Sequence, residues 1–246
     1  MRVKKVGVIG CGVIGTLIAQ SFAERLIQCD ELLLYDKDVE KARRLRDSLR
    51  VPITPMSSVD EMIRAKPIII VEAASQQAVR DYLQKILSSN IEMVVMSVGA
   101  LLDMDVKSKR VHIPSGAIGG LDAISTAALA GIQEITLTTR KNPKTLNLNN
   151  VSEKTAYEGF AKEAVKLFPR EMNVAATLAL TVKPHEVKVR VISDPKTTRN
   201  VHEIRLLWKH GNMLFRFEND PHPENPGTSA LAAWSAINLI KELLEK

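Results

Sequence analysis

The chain has 246 residues, 45% of them hydrophobic and 25% charged, with 34 Lys and Arg against 28 Asp and Glu. That is the composition of an ordinary globular protein, long enough for one large domain or two modest ones. No apolar run reaches the length needed to span a bilayer, and glycines arrive too early at the N-terminus for a signal-peptide apolar segment; a cytoplasmic protein is the expectation. The two cysteines, Cys11 and Cys29, cannot build a zinc cluster or a disulfide framework, and no metal site is expected. Aromatic residues make up only 4% of the chain and no nucleic-acid reader motif is present, so the net charge of +6 suits small anions, not nucleic acid.

Lys5 to Ile9 is strand-like and ends in Gly10-Cys11-Gly12-Val13-Ile14-Gly15, where an amphipathic stretch begins. A second apolar run, Glu31 to Tyr35, ends at Asp36. This is the order that a dinucleotide-binding βαβ unit requires. Gly10 permits the tight turn, Gly12 lets the backbone approach a pyrophosphate, and Gly15 lets the helix pack closely on the strand. The helix start at Val13 and Ile14 offers free N–H groups to the phosphates. Asp36 suits the ribose 2′-hydroxyl of NAD and opposes a 2′-phosphate. The basic stretch of Lys41, Arg43, Arg44, Arg46 and Arg50 reads first as a solvated helix face. Lys37 or Arg43 beside a 2′-phosphate would also admit NADP. NAD preferred with NADP tolerated is the expectation.

Further strands are predicted at Val51 to Ile53, Pro67 to Glu72, Met93 to Ser97 and Val111 to Ile113. Ile68 to Val71 is continuously apolar, as befits a strand covered on both faces. Ser58 with Glu61, and Ser75, mark helix starts. Residues 1–113 therefore read as an α/β domain, a Rossmann-type doubly wound parallel sheet. After Pro114 the pattern changes. Ser115 to Gly120 forms a glycine-rich turn leading into a small-residue helix, Leu121 to Ala130, stopped by Gly131. Alternating runs at 135–139, 187–191, 202–208 and 213–217 predict strands, with helices around Gly159 to Phe168 and Asn173 to Val182. Residues 114–227 thus read as an α+β catalytic domain. A helix over 228–246, capped by Thr228 or Ser229, is expected to pack across the domain boundary and back onto the first domain.

Ligands of such sheets bind beyond the carboxyl ends of the parallel strands. That points to the loops Glu72-Ala73-Ala74-Ser75, Ser97 to Ala100, and Ser115 to Gly120, whose small residues allow close approach. Oxidising an alcohol or amine also needs a proton acceptor, and histidine is the usual one near neutral pH. His112 reads as structural, His185 and His210 as exposed, and His222 lies in a proline-flanked loop. His202 alternates with Ile204, with Asn200 two positions earlier. That pattern fits a packed core histidine as well as a base. Asn225, Thr228 and Ser229 precede the last helix, an arrangement suited equally to a carboxylate or to plain N-capping.

Taken together these motifs resemble the L-aspartate dehydrogenase family. The likeness runs through GCGVIGTLIA at Gly10 to Ala19, VEAASQQAV at Val71 to Val79, SVGAL at Ser97 to Leu101 and IPSGAIGGLDA at Ile113 to Ala123. It continues through NVAAT at Asn173 to Thr177, NVHEI at Asn200 to Ile204 and ENDPHPENPGTSALAA at Glu218 to Ala233. The resemblance implies His202 as the catalytic histidine, and Ala117 and Asn173 as cofactor contacts beside Gly10, Gly12, Val13, Ile14, Gly15, Asp36, Ala73 and Ala74. Ser115, Gly116, Asn200, Asn225, Thr228 and Ser229 are the candidate substrate contacts. The implied reaction is reversible, NAD-dependent deamination of L-aspartate through iminosuccinate to oxaloacetate and ammonia. A homodimer and a link to quinolinate synthesis in NAD biosynthesis follow by the same analogy. One departure stands out: Gly227 occupies a position where a bulkier, often basic residue is expected. Two other readings stay open, a related amino-acid or imine reductase and a non-catalytic NAD(H)-sensing protein.

Overall fold

The computed structural model describes residues 3–245. The chain divides into two compact units, Met1–Pro114 with Ala233–Lys246, and Ser115–Ala232.

In the first unit strands and helices alternate: β1 (Lys5–Ile9), α1 (Val13–Ala23), β2 (Glu31–Tyr35), α2 (Val39–Ser48), β3 (Ile53–Pro55) and α3 (Val59–Arg64). They continue with β4 (Ile69–Glu72), α4 (Gln76–Ser88), β5 (Glu92–Val95) and β6 (Val111–His112). The six strands are parallel in the order β3-β2-β1-β4-β5-β6, the doubly wound order of dinucleotide-binding sheets. Val6, Val8, Leu32 to Leu34, Ile69 to Val71 and Met93 to Val95 are all buried, which is why these strands read as unbroken apolar runs. The polar caps do what the sequence asks of them. Asp38 accepts from the Glu40 N–H, Ser58 from the Glu61 N–H and Ser75 from the Ala78 N–H. The Glu61 carboxylate reaches back to the N–H and hydroxyl of Ser57, one residue before the cap. The third strand starts two residues later than the sequence suggests, where Ile53 to Pro55 align with Leu32 to Leu34.

The second unit contains α5 (Leu121–Ala130), β7 (Ile132–Lys141), β8 (Lys154–Phe160), α6 (Ala161–Leu167), α7 (Asn173–Thr181) and β9 (Lys188–Ser193). There follow β10 (Asn200–Trp208), β11 (Gly211–Asn219), and a short ladder of β12 (Pro221–His222) and β13 (Asn225–Ser229). A mixed five-stranded sheet runs β11-β10-β7-β9-β8, antiparallel except where β7 meets β9. Its inner face buries Ile135, Leu137, Val189, Val191, Ile204 and Leu206, and the same alternation puts Glu203, Arg205, Arg216 and Glu218 together on the outer face. Two elements differ from expectation. Lys154 to Phe160 forms an edge strand that the sequence does not predict, and the helix expected around Gly159 to Phe168 follows it at Ala161–Leu167. The last helix, α8 (Ala230–Leu244), starts after Thr228 and Ser229, because both belong to β13. From Ala233 onward α8 belongs to the first unit, with Ala233, Ala236, Ile237 and Ile240 buried and the Leu244 carbonyl accepting from Lys4 Nζ at 3.1 Å.

Ile70 lies on the strand flanked by β1 and β5 and is fully buried. Ile70→Ala is expected to cost about 2–5 kcal/mol, seen as a lower denaturant midpoint with an unchanged slope.

Candidate active site

The glycine loop is built as the sequence implies. Gly10 has φ +101°, and a Cβ there would meet the Ala73 carbonyl oxygen at 2.6 Å, so the turn packs directly on the backbone after β4. At Gly15 even a methyl group would collide with the Gly10 carbonyl. Around Gly12, by contrast, a Cβ would meet nothing within 4 Å. The loop is therefore tight underneath and open above. The first N–H groups of α1, from Val13 and Ile14, have no carbonyl a turn earlier to bond. This is a cradle into which a pyrophosphate fits.

Asp36 sits at the carboxyl end of β2, where Oδ2 accepts from the Cys11 N–H at 2.7 Å and Oδ1 from the Asp38 N–H at 2.9 Å. Its carboxylate is thereby fixed at the rim of the glycine loop. Arg43, one of the two residues considered for a 2′-phosphate, pairs with Glu40 at 2.7 Å on the exposed helix face. Buried Glu72 accepts from the N–H groups of Ala74 (2.8 Å), Ser75 (2.8 Å) and Ser97 (2.9 Å), and from the Ser97 hydroxyl (2.9 Å). One carboxylate thus clamps the loops after β4 and β5, although burial pushes its pKa up. Burial also pushes the thiols of Cys11 and Cys29 up to about 12, so neither is a thiolate nucleophile.

In the second unit, cross-strand partners share a face of the sheet. His202 stands opposite Thr139 on β7 and Phe217 on β11. One step along, the same face carries Lys141, with Ser193 opposite it on β9, and Asn200, with Asn219 opposite it on β11. Every buried polar residue described in this unit except Thr177 gathers here: Thr139, Lys141, Ser193, Asn200, His202 and Ser229. Such a concentration inside an otherwise apolar face is the mark of a site. The bonds are specific. His202 Nδ1 meets Thr139 Oγ1 at 3.0 Å; Asn200 Nδ2 donates to the Pro226 carbonyl at 3.0 Å and to Ser229 Oγ at 3.4 Å. Lys141 Nζ donates to the Gly227 carbonyl at 3.0 Å. These contacts hold β13 against the sheet end.

Burial, with the nearby charge of Lys141 adding to it, pushes the His202 imidazole down to about 3, so it is neutral at physiological pH. Burial likewise brings the Lys141 ammonium down to about 8, against the opposing pull of Glu171. The Ala117 carbonyl accepts from Asn219 Nδ2 at 3.1 Å, which ties the Ser115 to Gly120 turn to the same sheet end. Within that turn Ser115 is half-buried and Gly116 has φ +70°. Asn225 and Thr228 lie a little apart, lining a pocket of about 250 Å³ with Lys144, Arg170, Glu171 and Gly227. Asn173 opens α7, two residues beyond Glu171. At Gly227 a Cβ would clear all but Asn225 Oδ1, at 3.3 Å, so the backbone has room for the larger residue expected there.

Sequence reasoning missed Lys141 and Thr139. Both lie at the end of a strand whose burial depends on neighbours far away in sequence. The other histidines play other parts: His112 pairs with Glu92 at 2.7 Å, His210 is exposed in a turn, and His222 accepts from the Glu224 N–H. His185 lies in a bend ahead of β9 and is half-buried.

A glycine cradle at the ends of parallel strands, followed by an α+β unit with a neutral buried histidine, defines a dinucleotide-dependent dehydrogenase. A family profile described as homoserine dehydrogenase, NAD binding domain, matches residues 10–112, and one described as aspartate dehydrogenase, C-terminal, matches residues 122–243. The L-aspartate dehydrogenase of Methanosarcina barkeri is 39% identical, covering 98% of this chain and 97% of that one. That of Methanothermobacter thermautotrophicus is 38% identical, covering 100% and 98%. The crystal structure of aspartate dehydrogenase from Thermotoga maritima superposes with a TM-score of 0.77 at 28% identity, over 99% of this chain and 97% of that one. This chain belongs to the L-aspartate dehydrogenase family.

The buried imidazole has a thermodynamic consequence. Its folded pKa of about 3 lies below the ordinary histidine value, so the unfolded chain binds the proton first as pH falls. The stability His202 confers is complete above about pH 6.5 and is lost progressively as pH falls toward its folded pKa. His202→Gln is expected to flatten the acid side of a stability-versus-pH curve measured by denaturant unfolding. A second expectation concerns the cradle: Gly15→Ala abolishes NAD binding in calorimetry, since the added methyl group displaces the turn.

Proposed function

We propose that this chain catalyses the reversible, NAD-dependent oxidative deamination of L-aspartate to iminosuccinate, which water converts to oxaloacetate and ammonia. The observation that carries the reading is the neutral His202, held by Thr139 at the polar end of an otherwise apolar sheet. Family membership supports it across nearly the whole chain.

Gly10, Gly12, Val13, Ile14 and Gly15 would hold the pyrophosphate, Asp36 the ribose hydroxyls, and Ala73, Ala74, Ala117 and Asn173 the remaining cofactor contacts. When bound, the dinucleotide supplies the two-electron acceptor for oxidation of the amine carbon. The rest is proton handling and orientation by the protein. With Nδ1–H donated to Thr139 Oγ1, the His202 Nε2 carries the lone pair and accepts a proton, from the substrate ammonium or from water adding to the imine. Asn200, Ser229 and the Ser115–Gly116 turn line the same sheet end and orient the substrate. Asn225 and Thr228 contribute from the neighbouring pocket, where Lys144 and Arg170 favour a dicarboxylate. The same reading carries a cytoplasmic homodimer that supplies iminosuccinate to quinolinate synthesis.

His202→Ala is expected to lower kcat by about 10²–10⁴-fold while leaving NAD affinity unchanged, as measured by steady-state kinetics and by calorimetry. Normal turnover by that variant would remove His202 from the mechanism. Asp36→Arg is expected to move the kcat/KM ratio from NAD toward NADP; an unmoved ratio would mean that another residue reads the ribose.

A further inference from the structure

Lys141 is the largest of the fully buried side chains among the described residues, with 2% of its surface exposed. A lysine rarely takes such a place unless it is paired or has work to do. No carboxylate is bonded to it: its one hydrogen bond among the described residues goes to the Gly227 carbonyl at 3.0 Å. It shares the inner face of the sheet with His202, displaced by two residues along β7 from Thr139, the imidazole's own partner. Diagonal neighbours of this kind stand about 7–8 Å apart, and with little water between them their charges act on each other strongly.

We propose that Lys141 is a positioning residue for His202: its buried ammonium opposes a second positive charge on the imidazole and pins the Asn225–Ser229 strand over that end of the sheet. The surrounding strands place these groups beside the pair. Thr139 and Lys141 come from β7, Asn200 from β10, Ser193 from β9, Phe217 and Asn219 from β11, and Ser229 and the Gly227 carbonyl from β13. None of these but Lys141 carries a charge. Glu171 acts on Lys141 from a distance, and Lys144 and Arg170 lie beyond Gly227 in the adjoining pocket. Lys141 is therefore the charge that sets how readily His202 is protonated, over and above burial. Lys141 loses its own proton only near pH 8, so it is fully charged throughout the acid range in which His202 takes a proton, and the neutral ring senses the loss of that charge near pH 8.

This inference rests on the proposed role of His202, but its test does not require turnover. The protein is labelled with ¹⁵N-histidine and the His202 ring signals are followed against pH for wild type, Lys141→Met and Lys141→Arg. In Lys141→Met the protonation of His202 is expected to move upward by roughly one to two pH units. Lys141→Arg should keep the wild-type value. Wild-type signals should also show a small inflection near pH 8 that both variants lack, and Lys141→Arg, which keeps the charge, supplies that comparison if Lys141→Met fails to fold. In aspartate oxidation, the acid limb of the kcat/KM profile should move with the ring titration, and KM for aspartate should rise as β13 loosens. Unmoved His202 signals in Lys141→Met, or a wild type without the inflection, overturn the proposal and leave burial as the sole cause. Absence of aspartate oxidation alongside the shifted titration would instead count against the substrate.

Discussion

The second unit depends on one constraint: an imidazole buried in its interior must be neutral and must have a partner. On the inner face of a mixed sheet, desolvation penalises the charged ring, and the Thr139 hydroxyl satisfies one nitrogen. That leaves the other nitrogen as the one that takes a proton in the proposed function. The surrounding polar residues follow from the same requirement. Once Asn200, Lys141 and Ser193 enter the interior, each needs a bond, and the Pro226 and Gly227 carbonyls, Ser229 and Asn150 supply them. The short strand Asn225–Ser229 is held in place by the groups it covers.

The dinucleotide unit uses different means for a related end. Its functional surface is mostly backbone. Three glycines shape a loop that is closed below and open above; Asp36 fixes it by bonding the Cys11 N–H, and Glu72 gathers the two loops after β4 and β5. Side chains here position main-chain groups. In the second unit main-chain groups position side chains, as the carbonyls of Pro226 and Gly227 do for Asn200 and Lys141. The two halves of the chemistry are thus encoded by different kinds of interaction.

That difference explains what could be read from the sequence. The glycine loop, Asp36 and the apolar parallel strands are local patterns, and they appear in the structure as expected. So does the alternation that puts His202 on an inner face with Asn200. Lys141 could not be seen this way. Arg140-Lys141-Asn142-Pro143-Lys144 looks like a polar turn, and its second residue is buried only because β7 lies between β9 and β10 with β13 above. The edge strand Lys154–Phe160 was hidden for a related reason: no residue in it is fully buried, so its apolar alternation is weak. The β12–β13 ladder sits among three prolines, and long-range bonds from Asn200 and Lys141 hold it. Neither leaves a periodic signature.

The central claim is that a neutral buried histidine serves NAD-linked deamination of L-aspartate. The most direct test follows reduced-nicotinamide absorbance with purified protein, NAD and a panel of L-amino acids. Absorbance rising with L-aspartate, and not with glutamate or alanine, is the expected result. NAD binding without any absorbance change across the panel would contradict it.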